Sequence, residues 1–150
     1  STISKTEIGV AKQYDSVIAM QEITDVEATY VDDGKTLSKV AGQQSLFIIP
    51  EGVATIARDA MLGYDTLMEL VIPSTVMNIG ISALPRNLKA IYFKGTKADW
   101  KNIKFDEKIN VRIYYYNEHS ILKSNDCWHY ASDGITPEIT NISILSMLGF

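Results

Sequence analysis

Lys97, Lys101, Lys104 and Lys108 follow one another at steps of four, three and four. That spacing lines side chains along one face of a helix. With Arg86, Lys89, Lys94 and Arg112 they give the stretch 86–112 eight positive and three negative charges. Such a face has the chemistry to hold a phosphate backbone or an acidic glycan. It is equally the pattern of a solvated helix face over an aromatic anchor, here Trp100. No stacking ladder or nucleic-acid motif accompanies it, so the solvated face is the default and no nucleic-acid partner is expected. A second group is aromatic: Tyr92, Phe93, Trp100, Tyr114, Tyr115 and Tyr116. In a strand, Tyr114 and Tyr116 share one face and Tyr115 takes the other. One face then serves the core, and the other offers rings to a protein or a sugar. The candidate binding residues are therefore Tyr92, Trp100, Tyr114, Tyr115 and Tyr116, with Lys97, Lys101 and Lys104.

Catalytic and metal chemistry finds less support. His119, Cys127 and His129 have no standard zinc spacing and lack a fourth ligand. Cys127 and His129 share a strand face, but no orienting acid or oxyanion site accompanies them. The carboxylate pairs Asp25/Glu27, Asp32/Asp33 and Asp106/Glu107 fall in turns or exposed stretches, where solvation accounts for them. No phosphate-cradling glycine loop, HExxH or GxSxG is present. A non-enzyme without cofactor or metal is expected, with a small hydrolase or zinc protein at Cys127/His129 as the remote alternative.

What must position these groups is a repeat. Phe47-Ile48-Ile49-Pro50-Glu51-Gly52-Val53-Ala54-Thr55-Ile56 returns as Leu70-Val71-Ile72-Pro73-Ser74-Thr75-Val76-Met77-Asn78-Ile79. Pro50 and Pro73, Val53 and Val76, Ile56 and Ile79, and Ala60 and Ala83 all keep an offset of 23. A third copy, Leu88-Lys89-Ala90-Ile91-Tyr92-Phe93, follows Leu67–Ile72 at an offset of 21, as if two residues were lost near Pro85. The runs ending at Ile49, Ile72 and Phe93 are short and β-rich, and Pro50 and Pro73 close the first two. Val53, Ile56 and Ala60, like Val76, Ile79 and Ala83, stand three and four apart, which predicts helical or 3₁₀ returns. The expected fold is therefore α+β, a repeat solenoid. Strands and helical returns stack because one unit cannot bury its own apolar face.

These residues resemble the BspA-like, treponemal-type leucine-rich repeats of bacterial surface and phage-associated proteins. The pattern stands here as Ile49-Pro50…Val53…Ile56…Ala60…Leu67…Leu70 and Ile72-Pro73…Val76…Ile79…Ala83…Leu88…Ile91. Tyr92 to Ile103, with Lys94-Gly95-Thr96 and Trp100, is similar to that family's closing unit, and Val111 to Glu118 to the strand after it. Departures are Ala57 where the family has Gly, Met61 and Leu84 where it has Phe, and Tyr64 in place of a Cys. The resemblance implies a leucine-rich-repeat-like stack and a role in protein binding or adhesion.

Composition frames the rest. The 150 residues are 46% hydrophobic and 21% charged, with a net charge of −4, as in an ordinary globular chain. Cys127 is the single cysteine, so no internal disulfide forms. No apolar run reaches the roughly 18–20 residues of a membrane helix, so no membrane insertion is expected. Charge divides the chain into an arm or cap at 1–44 (net −3), a repeat core at 45–116 (net +2) and a docking tail at 117–150 (net −3). Two and a half repeats call for capping by these flanks or by other subunits, so a homo-oligomer within a larger assembly is expected. In the arm, Ile8, Ala11, Tyr14, Ile18 and Ile23 suggest a helical face, or Val26 to Val31 pairs as a strand before a turn at Asp32-Asp33-Gly34. The apolar stretch 142–150 suits burial in a partner or in the core. The first residues hold no leader pattern. Together with the family resemblance, this makes a phage virion component (tail, baseplate, fibre or decoration), assembled in the host cytoplasm, expected ahead of a bacterial cell-surface adhesin fragment binding a host protein or glycan.

Overall fold

The structure, a computed structural model, describes residues 3–5, 26–117 and 126–140. The helical face suggested at Ile8 to Ile23, His119 and the apolar stretch 142–150 lie outside the described residues. The chain opens with β1 (Ile3–Lys5) antiparallel to β2 (Val26–Val31), which is antiparallel to β3 (Thr36–Gly42). Asp32 and Asp33, both at φ 57°, and Gly34 at φ 85° turn β2 into β3. The strand reading of 26–31 and its turn thus hold.

From there the chain coils. Each coil gives one strand to each of two sheets: β4 (Leu46–Ile48) and β5 (Thr55–Ile56), then β6 (Glu69–Ile72) and β7 (Asn78–Ile79). The third coil is β8 (Ala90–Phe93), the short helix α1 (Lys97–Lys101) and β9 (Lys104–Phe105). β10 (Arg112–Tyr116), β11 (Cys127–Tyr130) and β12 (Pro137–Ile139) follow. The first sheet runs β1-β2-β3-β5-β7-β9 and the second β12-β11-β10-β8-β6-β4. Within the coils all pairing is parallel. The protein is a β-solenoid of about four turns. Register confirms the repeat arithmetic: Leu70 lies beside Phe47, and Ile91 and Phe93 beside Leu70 and Ile72. The 23-residue step and the two-residue loss are both written into the ladder.

The first two returns are not helical, and α1 is the one helix among the described residues, which corrects the α+β expectation. Ile56 and Ile79 sit in two-residue strands paired to each other. Val53 and Val76 lie in turns, their N–H groups donating to the carbonyls of Pro50 and Pro73 at 3.4 and 3.2 Å. Ala60 and Ala83 mark the opposite corner, donating to Ala57 and Gly80 at 3.1 and 3.3 Å. Most other backbone groups here bond from coil to coil. Met77 N–H donates to Ala54 O at 2.7 Å, Gly80 N–H to Ile56 O at 2.8 Å and Met61 N–H to Ala83 O at 2.9 Å. Coil-to-coil acceptors replace the i→i−4 acceptors of a helix, and the corners reproduce its three-and-four spacing. Asp59 and Ser82, one period apart, take the same left-handed backbone (φ 59° and 56°).

The core fills the space between the sheets. Ile49, Val53, Ile56, Ala60, Ile72, Val76, Ile79 and Ala83 are all buried in it. Phe47, Leu70, Ile91 and Phe93 line the second sheet's inner side, and Leu37 joins Ile56 and Ile79 from the first. Each Leu, Ile or Phe so buried contributes about 1.5–3 kcal/mol, which stiffens a stack built of very short strands. Pro50 and Pro73 end β4 and β6 at the sharp turns, where no ladder donor is needed.

Candidate functional site

The two sheets differ in what they turn outward. On the first, the outer row reads Thr36, Thr55, Asn78 and Lys104, polar throughout. On the second, one row reads Ile48, Val71, Tyr92 and Tyr114, and the next Tyr116 and Trp128. These residues form a second apolar cluster, separate from the core, with Ala90, Leu46 and Tyr130. Period-two alternation places Tyr114 and Tyr116 in it and turns Tyr115 toward the core cluster, as the sequence reading expects.

The rings interlock. Tyr92 stacks on Tyr114 with centroids 5.5 Å apart and planes 22° from parallel. Trp128 meets Tyr92, Tyr116 and Tyr130 at 5.6, 5.1 and 4.9 Å. Such pairs add about 0.5–1.5 kcal/mol beyond their burial. Trp128 is fully buried and donates its indole N–H to the Phe93 carbonyl at 2.7 Å. Tyr92 is 3% exposed and donates its hydroxyl to Glu69 Oε2 at 2.7 Å. Burial first, then that hydrogen bond and the charges of Glu69 and Tyr114, raise the Tyr92 phenol well above its ordinary value. Tyr114, Tyr116 and Tyr130 keep part of their surface exposed.

Charged groups frame the face. The Arg112 guanidinium lies over Tyr114 at 5.2 Å, and Lys94 Nζ over Tyr130 at 5.5 Å. Lys94 also pairs with Glu51 at 2.9 Å. Burial works against the Lys94 charge, but the Glu51 hydrogen bond, Tyr130 and the Glu51 charge outweigh it and hold the ammonium above its ordinary value. On the opposite side of β11 from Trp128 and Tyr130, His129 Nδ1 lies 3.0 Å from Thr140 Oγ1, and Nε2 lies 3.2 Å from Glu138.

The other candidate residues lie elsewhere. Trp100 packs edge-on to Phe93 and against Phe105, both centroids at 5.1 Å, and closes the core at the third coil. The lysines do not share a helix face. α1 opens on a Thr96–Asp99 capping box and ends at Asn102, so it holds only Lys97 and Lys101. Lys104 donates its N–H to Met77 O at 2.8 Å and enters β9, and Lys108 follows in a loop. Pairing with the neighbouring coil ends the helix that the lysine spacing suggests. Sequence reasoning left Trp128, Tyr130, Arg112, Lys94 and Glu69 out of the binding set. The alternation Trp128-His129-Tyr130 is the signal that places two of them beside Tyr116.

Among the described residues no group of three or more His, Cys, Asp or Glu is placed to hold a metal. No helix among them is long and apolar enough to cross a membrane. A cleft of about 190 Å³ lies at the corner lined by Ile79, Ala83, Leu84, Glu107, Ile109 and Val111, away from the aromatic face. Comparisons of the chain with protein-family models, curated proteins and solved structures gave no match.

Proposed function

We propose that this protein is a non-catalytic interaction module, a leucine-rich-repeat-like solenoid that presents the aromatic face of its second sheet to a protein subunit of a larger assembly. The observation that carries the reading is the contrast between the outer faces. One is a polar row, and the other bears Tyr114, Tyr116 and Tyr130 partly exposed on a platform held by Trp128 and Tyr92. Rigid aromatic side chains lose little entropy on binding, and Tyr and Arg carry much of the energy of protein contacts. Arg112 over Tyr114 supplies that pair at the margin of the face. The resemblance of the repeat to the BspA-like family supports a phage virion component, in a tail, baseplate, fibre or decoration, working in assembly or host-surface contact. A bacterial surface adhesin binding a host protein or glycan is the second reading.

The test pairs a variant with localisation. Gold-labelled antibody should mark particles rather than intact cells. Light scattering over a concentration series should show self-association that Tyr114→Ala/Tyr116→Ala weakens tenfold or more, with circular dichroism unchanged. Label confined to cells would move the protein to the adhesin reading. Association untouched by the double variant would remove the aromatic face from it.

A further inference from the structure

The chain contains two Asp-Gly dipeptides, Asp33–Gly34 and Asp133–Gly134. Both sit in turns between antiparallel strands, with the glycine at φ 85° and 72°. Asp-Gly bonds rearrange spontaneously. The glycine nitrogen attacks the aspartate Cγ, and the amide proton leaves with the carboxyl hydroxyl as water, closing a succinimide. Water then adds at either carbonyl, which restores aspartate or leaves an isoaspartyl linkage. The unhindered glycine nitrogen makes this sequence the favoured one. The reaction needs a carboxyl group free to swing onto its own backbone and to take up a proton.

The carboxyls of the two sites differ. Asp133 Oδ1 accepts from the N–H groups of Ile135 and Thr136, both at 2.8 Å, and Oδ2 accepts from the Thr136 hydroxyl at 2.6 Å. The Thr136 hydroxyl first, then these backbone donors, hold that carboxyl below its ordinary range. Asp33 is exposed, and its carboxylate has no hydrogen bond or ion pair among the described residues. The Asp33 turn is also the easier to open. Asp32 and Asp33 both hold left-handed backbone, which strains consecutive residues that carry a side chain. The Gly34 N–H reaches Val31 O at 3.2 Å, against 2.9 Å from Gly134 to Ala131.

The position gives the reaction a consequence. The carbonyl of Lys35, next after Gly34, accepts from Ala54 N–H at 2.7 Å and Thr55 N–H at 3.1 Å. Those bonds tie the β2–β3 hairpin to the first coil beside β5. An isoaspartyl linkage adds a backbone atom just ahead of that carbonyl. We propose that Asp33–Gly34 is a site of spontaneous isoaspartate formation that loosens the N-terminal hairpin from the repeat stack, while the turn around Asp133–Gly134 keeps an identical dipeptide inert.

The experiment incubates the full chain at physiological temperature and neutral pH, folded and in denaturant. Peptide mapping with isoaspartyl methylation then locates the product. In denaturant both sites should convert at the same rate. In the folded protein Asp33 should convert several-fold faster than Asp133, and Thr136→Val should raise conversion at Asp133. Asp33→Glu should abolish the Asp33 product. In the converted fraction the amides of Ala54 and Thr55 should exchange hydrogen faster. Equal rates at the two sites in the folded chain would overturn the proposal. So would an Asp33 that stays intact while the denatured chain converts, or unchanged exchange at Ala54 and Thr55.

Discussion

Gly80→Ala tests how closely the coils approach each other. Gly80 stands where the preceding coil has Ala57, one period earlier. A Cβ at Gly80 would lie 2.7 Å from Arg58 N, 3.0 Å from Arg58 Cα and 3.1 Å from the Ala57 carbonyl carbon. All three are backbone atoms of the coil before, so no side chain can swing aside. The coils are tied on either side of the contact, by Gly80 N–H to Ile56 O at 2.8 Å and Asp59 N–H to Ile81 O at 3.2 Å. Relieving the contact moves one coil by roughly 0.7 Å or more if carbon is to regain its usual separation. Overpacking of that kind costs about 1–3 kcal/mol, and weakening either hydrogen bond adds roughly 0.5–1.5 kcal/mol. Alanine restricts the unfolded chain and returns about 0.4–1 kcal/mol. The clash wins, leaving a net loss of about 0.5–4 kcal/mol. For a domain of this size each kcal/mol moves Tm by roughly 2–4 °C. Ala57→Gly is the control, since it introduces no clash and should cost no more than about 1 kcal/mol. Denaturant melts with matched m-values measure both. A Gly80→Ala variant as stable as the parent, or more so, would refute the close approach and with it the tight coil-to-coil ladder.

Trp128→Phe keeps an aromatic ring but leaves the Phe93 carbonyl without its indole donor. It should cost about 1–3 kcal/mol in denaturant melts, and Trp128→Ala about 3–5 kcal/mol. Tyr92 governs behaviour in alkali. Its folded-state pKa lies above the ordinary 10.0, so its stabilising contribution is complete below pH 10 and declines as the pH rises past that value. Absorbance titration should therefore show the same number of tyrosines ionising before unfolding in the parent and in Tyr92→Phe. One fewer in the variant would contradict the burial.

Much of the fold was legible because a solenoid repeats its core. Pro50/Pro73, Ile56/Ile79 and Ala60/Ala83 recur since the same inward positions recur on each coil, and the missing pair near Pro85 leaves the pairing of Ile72 with Phe93 intact. The returns were not legible in kind. Val53, Ile56 and Ala60 have the spacing of a helical face, and a coil turning two corners buries residues at the same spacing. What separates the two is that between the corners the hydrogen-bond acceptors belong to the neighbouring coil, which leaves no trace in local spacing. The lysine series misleads in the same way, since Lys104 joins β9 through Met77. Alternation was enough to sort Tyr114 and Tyr116 from Tyr115. The ring partners Trp128 and Tyr130 come from a strand beyond the repeat, so no period points to them.

The inner rows suffice to explain why the coils stack, and the outer rows are free of that demand. On the first sheet the freedom is used conventionally, with Thr36, Thr55, Asn78 and Lys104 meeting water. On the second the row runs from Ile48 and Val71 to Tyr92 and Tyr114, and beside it stand Tyr116 and Trp128. Solubility alone would favour small polar residues at these sites. Four rings of this face satisfy a second requirement instead: Tyr92 ends on Glu69, Trp128 on the Phe93 carbonyl, and Tyr114 and Tyr130 lie beneath cations. A face whose rings are fixed from below by hydrogen bonds and from the side by one another keeps its shape before anything binds. That preorganisation lowers the entropy cost of a later contact. It also predicts that the second sheet's outer face, not the polar one, is where substitutions separate binding from folding.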